Sequence, residues 1–192
     1  MVGTPHGAGS RNALIESIVR DTIEQYRNNG TSFSDKSFYQ LIKEYPDIVC
    51  DYVIVTKDDV SYSGAESHRT ALDFAARRLF ANGNEWSYDL IRARRRKLSS
   101  KALFSPVGSD EWLNYRRAFL CPPHGNSYTD DDFDRVNSVL FPGGAEELEV
   151  YRWTTDWSEY FDEGHEWWGS LCLTVYDKTL DRFTVIMASA TD

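Results

Sequence analysis

Between Tyr151 and Trp168 the chain sets Asp156, Glu159, Asp162, Glu163 and Glu166 among Tyr151, Trp153, Trp157, Tyr160, Phe161, Trp167 and Trp168. Four of the six tryptophans lie in this stretch, and no Lys or Arg occurs from Trp153 to Ser170. Carboxylates crowded this closely repel one another unless something cationic balances them. Trp and Tyr supply large, rigid contact area and dominate interface hot spots, while surrounding carboxylates steer and pair with Lys or Arg of a partner. The stretch therefore reads as an interaction loop. Its partner-binding set is Asp156, Trp157, Glu159, Tyr160, Phe161, Asp162, Glu163 and Glu166, with Trp157, Tyr160 and Phe161 as anchors. A competing reading fills the core with Trp153, Trp167 and Trp168 and turns only the acids to solvent. Trp167 and Trp168 are adjacent, so on a strand they cannot both point the same way.

The same carboxylates, with His165, could serve an enzyme. Two of them suffice for acid/base work, oxygen ligands can hold a divalent metal, and paired carboxylates beside aromatics suit glycoside hydrolysis. The spacing matches none of the known loops. It lacks the regular acids and central glycine of an EF-hand, and His165-Glu166-Trp167-Trp168-Gly169 lacks the second histidine of a zinc-protease helix. No cofactor and no metal is expected.

Other residue types carry less. Cys121-Pro122-Pro123-His124 puts a thiol near an imidazole, but a nucleophilic cysteine needs its base in space rather than in sequence. Three cysteines without a C-x-x-C pair make neither a disulfide framework nor a zinc ribbon. Cys50 and Cys172 fall in strand-like runs, where cysteine is ordinary core. The run Arg92-Ala93-Arg94-Arg95-Arg96-Lys97 could meet phosphates. On a helix its charges would spread round the cylinder, and no glycine-rich phosphate loop accompanies it. Pairing with the chain's own carboxylates is the better expectation.

The elements that must position these residues begin with helices. Ser10 opens one carrying Leu14, Ile15, Ile18, Val19, Ile23 and Tyr26, which Asn28-Asn29-Gly30 ends. Ser34 caps a second, with Phe38, Leu41, Ile42 and Tyr45 on one face, stopped before Pro46. Val49–Thr56 is a strand, Ala65–Ala81 a helix, and Trp86–Leu98 a further helix bearing the basic run. Ser109 caps a helix around Trp112, Tyr115, Ala118 and Phe119 that Pro122 terminates. Thr129 caps the next, where Asp130, Asp131 and Asp132 suit the helix dipole. Strands then follow at Leu148–Thr154, Trp167–Tyr176 and Arg182–Ser189, with a hairpin turn at Asp177–Asp181. The acidic stretch becomes a loop of about a dozen residues between the first two, a length that is often functional. Helices first and strands later give an α+β fold: N-terminal helices packed on a mainly antiparallel sheet formed largely by the C-terminal third. Residues 1–9 read as a flexible tail and residues 10–192 as a single domain.

Charge narrows the function. Of the formal −9, residues 130–192 carry fifteen acids against Arg135, Arg152, Lys178 and Arg182, a net of −11, which leaves about +2 for the rest. Such a field repels phosphates, so no direct nucleic-acid role is expected. No apolar run is long enough to span a bilayer, and the glycine-rich N-terminus lacks a signal-peptide core, so a cytoplasmic location is the default. The expected function is an acidic protein-binding domain that occludes the cationic site of a basic partner, such as a toxin or nuclease. Immunity and inhibitor proteins work by the same charge logic. The alternatives are a carboxylate-dependent hydrolase, metal- or glycan-acting, that uses two carboxylates of the 156–166 loop with a metal or a water, and an aromatic homodimer interface.

Overall fold

The computed structural model describes residues 33–80, 86–105, 113–166 and 168–190. The helix expected after Ser10, the tail before it and the cap at Ser109 lie outside them. Five strands form one sheet in the order β1-β5-β4-β3-β2, and every pairing is antiparallel. They are β1 (Cys50–Val55), β2 (Arg95–Leu98), β3 (Leu148–Trp153), β4 (Ser170–Asp177) and β5 (Arg182–Ser189). Six described α-helices surround it: α1 (Phe33–Ile42), α2 (Ala65–Phe80), α3 (Ser100–Leu103), α4 (Tyr115–Leu120), α5 (Asp130–Leu140) and α6 (Asp162–Glu166). The fold is α+β, with the sheet formed mostly by the C-terminal part.

Alternation along the strands divides the core into two layers. On one face Tyr52 and Ile54 of β1, Val150 of β3, Leu171, Leu173 and Val175 of β4, and Ile186 of β5 meet Phe38 of α1, Phe119 of α4 and Phe133 of α5. On the other face Val53, Val55, Trp153, Cys172, Tyr176, Phe183, Val185 and Met187 meet Ala71, Leu72, Ala75 and Ala76 of α2. The three alanines let α2 lie close against the strands. Because both faces are covered, β4 and β5 are buried almost throughout.

Local signals explain most boundaries. α1 ends before Pro46, which cannot continue a helix. α5 starts with a full capping box: the Thr129 hydroxyl accepts from the Asp132 N–H, and the Asp132 carboxylate accepts from the Thr129 N–H. α4 is shorter than the pattern suggests, because Asn114 caps it by accepting from the Arg117 N–H at 2.8 Å. β4 begins at Ser170 rather than Trp167, since Gly169 turns the chain with φ of 100°.

One element differs in kind. Trp86–Leu98 is not a helix; among the described residues it is a loop followed by the edge strand β2. The guanidinium of Arg69 on α2 donates to the carbonyls of Leu90 (2.5 Å) and Ala93 (2.8 Å), holding the loop in an open path. In β2, Arg95 and Lys97 then alternate onto one face, where Arg95 lies over the rings of Tyr151 and Trp153 and Lys97 over Tyr151. Arg95 also pairs with Glu66, and Lys97 with Glu149 at 2.7 Å. Cross-strand partners of this kind outweigh a weak helical preference.

An acidic cleft as the candidate functional site

The stretch after β3 is tightly folded. Glu159–Phe161 forms a 3-10 turn that runs directly into α6. Its aromatics turn inward. Trp157 is 1% exposed and Phe161 fully buried; they pack edge to face at 5.3 Å, and Trp157 also meets Phe80 at the end of α2. The anchoring role expected of Trp157 and Phe161 is therefore corrected. They hold the segment to its own core, because burying that much apolar surface stabilises the fold more than display would. Tyr160 is half-buried between Phe80 and Trp86 and donates its hydroxyl to Asp51 on β1 at 2.7 Å. Trp153 is core as well, whereas Trp168 is 42% exposed.

The five carboxylates face outward. Asp156, Glu159, Asp162, Glu163 and Glu166 are all exposed. Asp156 stands 4.0 Å from Arg92, while Asp162, Glu163 and Glu166 form no ion pair among the described residues. The segment is also fixed from behind. Gly164 donates to the Ser189 hydroxyl at 3.1 Å and accepts from the Gly169 N–H at 2.7 Å. A Cβ at residue 164 would come within 2.7 Å of both the Gly169 carbonyl and the Ser189 hydroxyl, so only glycine fits this contact.

Across from the segment lies the loop before β2, and the two zip together. Tyr88 and Ser158 form an antiparallel bridge, Asp89 N–H donates to the Trp157 carbonyl at 2.7 Å, and Glu159 N–H donates to the Ser87 carbonyl at 3.1 Å. Ser87 N–H donates to the Glu159 carboxylate at 3.0 Å. Between them opens a cleft of about 560 Å³ whose acidic lining is Asp89, Asp156, Glu159 and Asp162, with Arg92 and His165 at its walls. His165 shares a 2.7 Å hydrogen bond with Thr155. Tyr88 and Ile91, 36% and 91% exposed, stand on the loop side.

Two of the acids are held ionised. The Thr154 hydroxyl beside Asp156, followed by the Arg92 and Arg94 charges, keeps its carboxyl below the usual range. Ser87 does the same for Glu159 through its hydroxyl and its N–H. No group of three His, Cys, Asp or Glu side chains among the described residues converges on a point where a metal ion could sit. The cleft thus offers negative charge at close range, beside exposed apolar side chains.

Comparison with protein-family models, curated proteins and solved structures found no match. The site must be read from its own chemistry.

A second polar group lies behind β3. His68 of α2, fully buried, hydrogen-bonds Thr174 through Nδ1 at 2.9 Å and Glu149 through Nε2 at 3.1 Å. Trp153 Nε1 donates to the same Thr174 hydroxyl at 2.9 Å. An ionised Glu149 can only accept, so Nε2 carries the proton and Thr174 donates to Nδ1. Glu149 also accepts from Lys97 and from the Tyr62 hydroxyl. The Thr174 hydroxyl is buried and fully occupied, so this chain of bonds ties α2 to β3 and β4 and offers no nucleophile. Burial pushes the His68 pKa down to about 4 despite the neighbouring Glu149.

Of the eight candidate residues, the structure brings Asp156, Glu159 and Asp162 to one cleft, with Glu163 and Glu166 farther along the same exposed segment. It withdraws Trp157 and Phe161, and leaves Tyr160 half-buried. Sequence reasoning missed Tyr88, Asp89 and Ile91, which come from a segment about seventy residues away in the chain. No local signal marked that loop, since Arg95-Arg96-Lys97-Leu98 carries no alternation of apolar and polar residues. Cys121 is exposed, while Cys50 and Cys172 are buried in strands; all three are free thiols. Among the described residues, no helix is long and apolar enough to cross a membrane.

Proposed function

We propose that this chain is an acidic protein-binding domain that seats a basic partner, of the toxin or nuclease kind, in the cleft between residues 87–92 and 156–165. In this reading the domain acts in the cytoplasm as an immunity- or inhibitor-type protein, blocking the partner's cationic surface. The observation that carries it is the sorting of one segment: its carboxylates all face solvent while its aromatics fix it rigidly to the core. Tyr88 and Ile91, together with Trp168, take the anchoring part first expected of Trp157 and Phe161. Exposed apolar side chains ringed by desolvatable charge are what hot spots need.

The hydrolase reading has less support. A carboxylate-dependent acid needs a carboxyl group held protonated near neutral pH. Asp156 and Glu159 are both displaced the other way.

The test is affinity capture from source-cell lysate at low salt, with the wild type beside a variant in which Asp156, Glu159, Asp162 and Glu163 become Asn or Gln. The proposal expects a stoichiometric basic protein on the wild type, released by salt and absent from the variant. Equal capture by both baits would move the contact elsewhere on the molecule. Capture of nothing by either would count against a binding role.

A further inference from the structure

The sheet has two edges, and they are treated differently. At β1 the hydroxyl of Tyr39 donates to the Tyr52 carbonyl (3.2 Å) and accepts from the Ile54 N–H (3.1 Å), occupying the outward main-chain groups. At β2 nothing comparable happens. Thr154 N–H donates to the Arg94 carbonyl, so position 94 faces β3. By the alternation of an antiparallel ladder, Arg96 and Leu98 also bond inward, and the N–H and C=O groups of Arg95 and Lys97 point away from the sheet. Those main-chain groups have no partner among the described residues.

Two further features flank this open edge. Positive charge runs along it at Arg94, Arg95, Arg96 and Lys97, of which Arg95 and Lys97 already pair with Glu66 and Glu149, in a chain whose overall charge is −9. A cavity of about 290 Å³ runs under β2 on the side facing α3, with Arg96 and Arg152 above a floor that includes Leu98, Leu103, Leu171 and Leu173. Arg96 and Arg152 are direct register partners. A strand laid beside β2 would turn every second side chain towards Arg96 and Leu98, and so towards this cavity.

We propose that the β2 edge is a docking site for an extended acidic segment of a partner protein, added as a sixth strand. Main-chain bonds to Arg95 and Lys97 supply affinity, and the cavity and cations select alternating apolar and acidic side chains. A second copy of the same edge would bring like charges together, which is how edges are kept from self-pairing. A nucleic-acid strand would meet the cations but cannot satisfy alternating N–H and C=O groups. This site is separate from the acidic cleft and does not depend on its assignment.

The probe is a short acetylated peptide of alternating Glu and Val, with its Lys/Val counterpart and oligothymidylate as controls, titrated at millimolar concentration against the full chain by NMR. The Glu/Val peptide alone is expected to shift the Arg95 and Lys97 amides and slow their hydrogen exchange. Lys97→Pro removes one outward donor together with the Lys97 charge that pairs with Glu149, while remaining acceptable on an edge, and should weaken binding about tenfold. Arg94→Glu leaves the main chain intact and should weaken it at least about threefold. Absence of binding, equal binding of the Lys/Val peptide, the same amide shifts with oligothymidylate, or full affinity in both variants would each overturn the proposal.

Discussion

Tyr160 and Asp51 join the acidic segment to the far side of the sheet: the phenol of one donates to the carboxylate of the other at 2.7 Å. Asp51 sits on β1 and Tyr160 in the 3-10 turn, more than a hundred residues later. Tyr160→Phe keeps the ring against Phe80 and Trp86 but removes the bond. Urea unfolding should show a loss of about 1 kcal/mol with an unchanged m-value.

The two classes of apolar residue in the site separate by experiment. Trp157→Ala removes a buried ring and should destabilise the fold by about 3–5 kcal/mol. Ile91→Ala should leave stability within about 0.5 kcal/mol, because the side chain is exposed. If Ile91 anchors a partner, the same variant should bind it less tightly, as calorimetry on the purified complex would show. An Ile91 variant that unfolds readily would contradict its exposed placement.

Acid should destabilise the fold through His68. Its folded pKa of about 4 lies below the ordinary 6.5, so the unfolded chain takes up the proton first as pH falls. The stability this group contributes is complete above about pH 6.5 and is lost progressively down to pH 4, by about 3 kcal/mol in all. Glu149 acts in the same direction at lower pH. Burial alone would raise its carboxyl, but Lys97 and His68 together bring it below the usual value. Denaturation midpoints measured from pH 7.5 to 4 in the wild type and in His68→Gln should converge as the pH falls.

Gly164 is the most sensitive small residue of the acidic segment. Gly164→Ala places a methyl group against the Gly169 carbonyl and the Ser189 hydroxyl, and overpacking of this sort costs about 1–3 kcal/mol. Hydrogen exchange should report the strain locally, with faster exchange across α6 and little change in α2.

Binding in the cleft should be sensitive to salt. Exposed charges more than about 8 Å apart are screened at physiological ionic strength. The dissociation constant for a basic partner should therefore rise steeply between low and physiological salt in the wild type. The slope should flatten in the variant lacking the Asp156, Glu159, Asp162 and Glu163 charges.

Much of the fold was legible in the sequence because it depends on local signals. Thr129 with Asp132, the stop at Pro46 and the apolar, β-branched run of β5 each set a boundary without help from distant residues. The acidic character of 156–166 was equally plain. What composition alone could not reveal was orientation. Trp157 and Phe161 look like Tyr88 or Ile91 until their neighbours are known, and those neighbours, Phe80 and the strands behind it, come from elsewhere in the chain. The basic run failed for a related reason. Arg95 and Lys97 are acceptable in a helix, and only Tyr151, Trp153 and Glu149 on the neighbouring strand, with Glu66 on α2, make them a strand.

Arg69 reaches from α2 to the carbonyls of Leu90 and Ala93, and the bridge at Tyr88 and Ser158 closes the same loop from the other side. The cleft is consequently built before any ligand arrives. A partner landing there would find little left to order, so association should proceed at a rate set by diffusion and charge, without a slow conformational phase.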